Sequence, residues 1–274
     1  RDRSPSRGLG DVYKRQLYKR LIAIPMVVFC SMLLFTSCED FLAEKPYDFY
    51  DEQDFYKDVS ELELAVNGAY EVLSQKMTYG HFMLVNDCDT DLSHIKGSGT
   101  GHTARDLGHY NIYTSHNWLE EAWGYYYTGI DRVNRIMANK ERVDLPDEAS
   151  QVTFKRLIAE ARLLRGICYF DLVRMWGDVP LKLTASDKTE NFAVTRTNRE
   201  EVYQQIVDDM EAAVTDLPWY NEVSSYEGRP TKGAAMGLLA RAYLFRAGYS
   251  LHQNGEMERP DNYLEYYKNC LLYT

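Results

Sequence analysis

"RLIAEARLLRGICYFDLVRMWGDVPL", Arg156–Leu181, is the stretch that decides the fold. Its apolar residues do not alternate as those of a half-buried strand would. Leu157, Ala161, Leu164, Cys168 and Leu172 recur at steps of three and four, continuing a series begun at Phe154. That spacing predicts a long helix from about Ser150 to Met175. The helix must stop at Gly177-Asp178-Val179-Pro180, because proline lacks the amide that would continue the ladder and glycine is favoured just past a helix end. Ala161 and Gly166, small residues set among large ones, predict close crossings with neighbouring helices.

The same periodicity extends outward in both directions. Ser60-Glu61-Leu62-Glu63 reads as a capping box, with Leu62, Ala65, Val66, Ala69 and Leu73 on one face behind it. Asn117 with Glu120 opens another helix, whose stripe runs Leu119, Trp123, Tyr126, Ile130, Val133 and Met137. A further box, Thr197-Asn198-Arg199-Glu200, leads Val202, Ile206, Met210, Ala213 and Leu217 up to Pro218. Pro230-Thr231 starts a helix through Ala235, Leu238, Leu239, Ala242 and Phe245 to Gly248. No segment carries a repeated strand pattern. "LLRGICYF" from Leu163 and "LLARAYLF" from Leu238 share both leucines and the final phenylalanine. The expected fold class is therefore all-α, built of degenerate tetratricopeptide-like helical hairpins with long irregular loops.

These segments also resemble a known family. Residues 156–181 are similar to the signature helix and exit turn of the RagB/SusD family, the surface glycan-binding lipoproteins of Bacteroidetes. "CEDFL" from Cys38, "RTNREEVYQQIVDDMEAAVTDLP" from Arg196 and "GRPTKGAAMGLLARAYLF" from Gly228 agree with it in order and spacing. The resemblance implies a SusD-like α/α superhelix and non-catalytic binding of a glycan, or less often a peptide, at the cell surface. It further implies no cofactor and delivery of the ligand to a SusC-like TonB-dependent transporter in the outer membrane. Members are usually much longer, so residues 38–269 are expected to be the N-terminal helical domain of a longer protein.

What precedes this domain reads as an export signal. Lys19 and Arg20 stand before an uncharged run from Leu21 to Ser37, and Glu39 and Asp40 follow at once. The run is shorter than the roughly 20 residues of a spanning helix and contains Pro25. Phe35-Thr36-Ser37-Cys38 resembles a bacterial lipobox, which makes residues 17–37 a lipoprotein signal peptide and Cys38 the lipidated first residue of the mature chain. The acidic pair after it is similar to the surface-export signal of Bacteroidetes lipoproteins. An ordinary secretory signal with an incidental cysteine is the alternative. Residues 1–16 resemble a non-native leader translated from adaptor read-through, and residues 270–274 look similar; both are left out of the fold reasoning.

Charge excludes one class of partner. The sequence carries 31 Lys+Arg against 41 Asp+Glu, a net charge of −10. Residues 1–37 hold seven basic and two acidic side chains, so residues 38–274 stand near −15. Nucleic-acid binding needs a basic face and is not expected. Of 5 cysteines only Cys88 and Cys168 fall clear of the signal, the lipobox and the end of the chain, so no disulfide framework is expected. The 22 tyrosines suit helix interfaces and sugar-facing surfaces alike.

Candidate chemistry gathers between the first two helices, in residues 78–116, a segment too long for an ordinary connection. It holds His81, His94, His102, His109 and His116, whose spacings of 13, 8, 7 and 7 match no metal-ligand pattern. Asp87, Asp89 and Asp91 alternate as in a calcium loop, but Leu92 and Ser98 stand where an EF-hand needs glycine and glutamate, which leaves only a looser calcium arrangement open. In the resembled family this region contributes to the sugar-binding face. That makes Asp87, Arg105, His109, Tyr110 and Trp118 the candidate ligand-binding residues: flat rings to cover the apolar face of a pyranose, and charged or imidazole groups to bind hydroxyls. Trp123, Tyr126 and Trp176 are assigned to the core. No catalytic residue and no metal ligand is assigned. A helical glycoside hydrolase would need two carboxylates about 5 to 10 Å apart across a cleft. Glu120 and Glu121 diverge on a helix, and Asp208-Asp209-Glu211 reads as a solvated face. A lipid-anchored scaffold binding only proteins is the remaining alternative.

Lipidation is directly testable. In cells fed a labelled fatty acid the intact protein is expected to take up label and Cys38→Ala is not, because anchoring by several acyl chains is stable where one chain holds only weakly. Label on the variant would contradict the lipobox reading.

Overall fold

A computed structural model describes residues 55–80, 90–97, 104–186, 194–222 and 228–273. Cys38, the signal segment 17–37 and the leader 1–16 lie outside the described residues, as does Asp87. Among the described residues seven α-helices follow one another: α1 Val59–Ser74, α2 Ala104–Gly108, α3 Asn117–Asn139, α4 Glu148–Trp176, α5 Arg199–Asp216, α6 Lys232–Ala247 and α7 Tyr263–Leu272. The only strands among the described residues are β1 Ser250–Leu251 and β2 Met257–Glu258, a short antiparallel ladder. Each long helix packs on the next in sequence, α3 on α4, α4 on α5, α5 on α6 and α6 on α7, and α1 packs on both α3 and α4. The fold is all-α, as the periodicity predicts. No described helix is long and apolar enough to cross a membrane.

The helix starts differ in detail from the sequence reading. Asp58, not Ser60, caps α1: its Oδ1 accepts from Glu61 N at 3.0 Å, while Glu61 Oε2 accepts from the amide of Lys57, the residue before the cap, at 2.7 Å. Asn198 rather than Thr197 caps α5, accepting from Glu200 N at 2.8 Å. At α3 the cap position is His116, and no side chain caps it; Asn117 is already the first helical residue. At α1 and α5 a residue able to accept stands next to or near the one chosen from sequence, and the backbone turn decides which is used. Asp147 caps α4, accepting from Ser150 N at 2.7 Å. At the other end Gly177 takes φ +71, a left-handed conformation that glycine adopts without strain.

Helix α4 is the centre of the molecule. Leu157, Ala161, Leu164, Cys168 and Leu172 are buried as predicted, but so are residues on its other faces, including Leu163, Tyr169 and Phe170. Four charged residues are buried with them: Arg156, Glu160, Arg165 and Asp171. All four are paired. Arg165 makes a bidentate contact to Asp209 of α5 (2.7 and 2.8 Å) and a third bond to Asn134 Oδ1 of α3 (2.8 Å). Asn134 in turn donates to the carbonyls of Lys182 and Thr184, at 3.1 and 3.0 Å, which straps residues 180–186 against α3. Glu160 accepts from Arg156 and Arg229, each at 2.6 Å, and from Tyr70 at 3.0 Å. Because Arg229 also binds Glu63 and Asn67 of α1, the turn before α6 is fastened to both helices. Asp209 thus does not belong to a solvated face; its carboxylate is 2% exposed and faces α4.

The strap is held at further points. Tyr127 donates to Pro180 O and Tyr169 to Lys182 O, both at 2.7 Å. Asp131 accepts from Ser186 N at 2.7 Å and from Arg135 at 2.9 Å. Burial opposes its charge, but the bonds from Ser186 and Arg135 prevail and hold its pKa below the ordinary carboxylate range.

Gly166 lies where α4 crosses α5, and a Cβ there would sit 3.1 Å from Met210 Cγ and 3.3 Å from its Cε. Gly166→Leu is therefore expected to overpack the crossing and to destabilise the protein by about 1 to 3 kcal/mol in denaturant unfolding. An unchanged or raised midpoint would contradict close contact at this crossing.

Candidate functional site

The 78–116 segment is built onto one end of the scaffold. Helix α1 ends in a turn over Lys76–Gly80, where Met77 and Thr78 leave helical geometry. Thr78 is buried and its hydroxyl donates to Val72 O at 2.7 Å, with Leu73 O and Gln75 O at 3.1 and 3.0 Å. One side chain thus serves the carbonyls that a helix end leaves open. Met77, Leu107, Ile95, Ala104 and Trp118 all pack into the larger core cluster, so this end of the bundle is closed by the segment itself. Sequence periodicity could not reveal α2, because at five residues it is too short to show a repeating face.

Of the candidate residues, Arg105 and His109 come together. They lie one turn apart on and just after α2, and both hold the 94–97 stretch. His109 Nε2 lies 2.9 Å from the Ile95 carbonyl, which makes it the donor, and its ring stacks on His94 at 5.0 Å. The Arg105 guanidinium lies against Gly97, where a Cβ would come within 3.4 Å of its Nε. Tyr110 follows immediately with φ +56, a left-handed conformation uncommon for a bulky residue, and its side chain is 71% exposed. Strain of this kind at an exposed aromatic is a feature of functional surfaces. Trp118, in the first turn of α3, is half-buried with part of its ring in the core, and Lys76 Nζ sits 5.6 Å from its centroid. Between them these residues offer one exposed phenol, a partly open indole and the cationic side chains of Arg105 and Lys76. That combination can stack on a pyranose and donate to hydroxyls.

Alternative chemistries find little geometry here. Among the described residues no three His, Cys, Asp or Glu side chains converge as metal ligands, while His81, Asp87, Asp89 and His102 lie outside the described residues. Glu120 and Glu121 are exposed on the first turns of α3. Asp209 is engaged by Arg165, and Glu211 accepts from Tyr243 at 2.8 Å. Cys168 is a buried free thiol, and burial pushes it up, out of the reactive range. Trp123 and Trp176, read from sequence as structural, pack edge to face at 5.4 Å beneath the strap, and Tyr126 is fully buried.

A profile of the SusD-like family, described as "Starch-binding associating with outer membrane", matches residues 40–244. The chain belongs to the SusD-like family. It is 29% identical over 249 residues to a SusD-like protein of Bacteroides ovatus, which covers 87% of this chain and 42% of that one. To SusD-like protein P2 of Formosa agariphila it is 26% identical over 220 residues, 80% of this chain and 42% of the relative. Among solved structures, a SusD homolog from Bacteroides thetaiotaomicron superposes with a TM-score of 0.66 at 29% identity, covering 74% of this chain and 39% of the other. A laminarin-binding SusD-like protein gives 0.61 at 26% identity, over 70% and 41%. The SusD-like chain thus spans less than half the length of the relatives it matches. The motifs read from sequence between Asp40 and Leu244 fall inside the matched range, including the 78–116 segment and Trp118.

Proposed function

We propose that this chain is the helical part of a lipid-anchored outer-membrane protein that binds glycans without cleaving them and passes them to a TonB-dependent transporter. The observation that carries the reading is the family match across 40–244, which spans both the scaffold and the loop face built on it. The laminarin-binding neighbour lends a substrate class, a neutral glucan. The proposed sugar face takes Tyr110 as its exposed stacking surface, with Arg105 and with His109, which binds the Ile95 carbonyl, beside it and Trp118 with Lys76 as a further aromatic and cationic pair. Asp87, outside the described residues, is proposed as a hydroxyl acceptor on the same segment. Cys38 is proposed to carry the lipid, which would hold the site at the outer-membrane surface. The acidic balance of the chain is compatible with a sugar ligand and opposes nucleic acid.

A carrier that hands its ligand on must release it, so affinity should be modest. In the full-length protein, Tyr110→Ala is expected to weaken binding of a glucan oligosaccharide by about 1 to 2 kcal/mol in calorimetry, the loss typical of an aromatic anchor. Thermal stability should hardly change, since the ring is exposed. Trp118→Ala is expected to weaken binding and to lower stability as well, because part of its ring is in the core. The same protein should release no reducing ends from the glycan. Hydrolysis that survives repurification and disappears on changing one acidic residue would overturn this function, and so would undiminished binding by both aromatic variants.

A further inference from the structure

Far along the chain from this face, the end of α4, the start of α5 and the β1–β2 hairpin enclose a cavity of about 530 Å³. That size lies within the range of small-ligand pockets. Its lining is cationic. Arg174, Arg196 and Arg199 line it, against a single carboxylate, that of Asp178; His252 also lines it, 3.8 Å from Glu258. This inverts the sign of a chain whose net charge is −10. The Asp178 carboxylate is already engaged: Oδ1 accepts from Arg199 N and Nε at 3.1 and 3.2 Å, and Oδ2 from Gln253 at 2.7 Å.

Two of the arginines are held in place by contacts in and around the cavity wall. Arg199 donates to Leu251 O at 2.7 Å, and its guanidinium lies where a Cβ on Gly177 would come within 2.7 Å, so only glycine fits that turn. Arg174 pairs with the buried Asp171 at 2.5 Å and stacks over Phe170 and Phe245, while its Nε is buried without a hydrogen-bond partner. Arg196 is exposed and makes no ion pair or hydrogen bond among the described residues. Trp176 and Tyr249 supply aromatic surface beside these charges. Planar guanidinium groups match carboxylate and sulfate oxygens two at a time, and aromatic rings cover the apolar face of a sugar.

We propose that this cavity is a second saccharide site, selective for a pyranose carrying an anionic group, either a uronate carboxylate or a sulfate ester. It rests on the glycan-binding reading but uses none of the residues of the loop face. Two saccharides linked in one polymer could therefore engage the protein at two places.

The test is calorimetry on the full-length protein with three probes: an oligogalacturonate, a sulfated galactan oligosaccharide and a neutral glucan oligosaccharide. At least one acidic probe is expected to bind, to weaken steeply as salt is raised, and to lose about tenfold in affinity with Arg196→Gln, the effect of removing one charge-assisted contact. Which acidic probe binds distinguishes carboxylate from sulfate. Arg196 is exposed, so its replacement leaves folding intact; Arg174→Lys, which removes the guanidinium fork but keeps a charge for the buried Asp171, gives a second variant within the cavity. Binding of the neutral glucan alone would overturn this inference and leave the glycan-binding function standing, whereas binding of no probe would sink both. Equal loss of neutral and acidic affinity in Arg196→Gln would also overturn it, as would tighter binding of polyglutamate than of either acidic sugar.

Discussion

One buried guanidinium, that of Arg165, ties together three helices and the strap beside them. It contributes two bonds to Asp209 of α5 and one to Asn134 of α3, and through Asn134 it reaches the carbonyls of Lys182 and Thr184. Helix α4 needs such keys because it is buried on nearly every side. A helix with one apolar stripe is oriented by burying that stripe, but α4 has apolar residues all round and nothing in them fixes its rotation. Buried pairs do, since any other rotation would strand a charge away from water. Removing one partner of such a pair typically costs about 3 to 5 kcal/mol.

The same logic repeats along α4. Glu160 gathers Arg156, Arg229 and Tyr70, and Asp171 holds Arg174. These contacts connect elements far apart in sequence, so the positions of α1, the turn before α6 and the α4 exit are set together. Function follows from that rigidity. The loop face stands on α1 and α3, whose crossing with α4 is fixed by these pairs, and the cationic cavity stands on the α4 exit. A segment that presents Tyr110 in a left-handed conformation is built on helices cross-linked by buried pairs, the kind of support a preorganised site needs.

Much of the fold was legible in the sequence, and the reasons are local. Steps of three and four mark α1, α3, α4, α5 and α6 within a few residues, and Gly177 with Pro180 marks the sharpest stop. What the sequence hid is mostly long-range. Asp209 sits in an acidic run that reads as solvated, and only the approach of Arg165 from another helix buries it. Capping by Asp58 was missed because Ser60 offers an equally good box two residues on. Helix α2 is too short for periodicity, and α7 begins beyond the stretch that carried a clear stripe. For the candidate site, the density of His, Tyr and Asp in one long segment is what singles out the proposed sugar face. The division of labour inside it was not readable: whether Arg105 and His109 face a ligand or brace the 94–97 stretch depends on which backbone atoms lie near them.

The most direct test of the keyed scaffold is a double-mutant cycle on Arg165→Met and Asp209→Leu in the full-length protein, read by urea unfolding. If the pair fixes α4 against α5, each single change should cost about 3 to 5 kcal/mol, and the double variant should lose far less than the two together, a coupling of about 2 kcal/mol or more. Additive losses, or single variants as stable as the unchanged protein, would contradict a scaffold held by this contact.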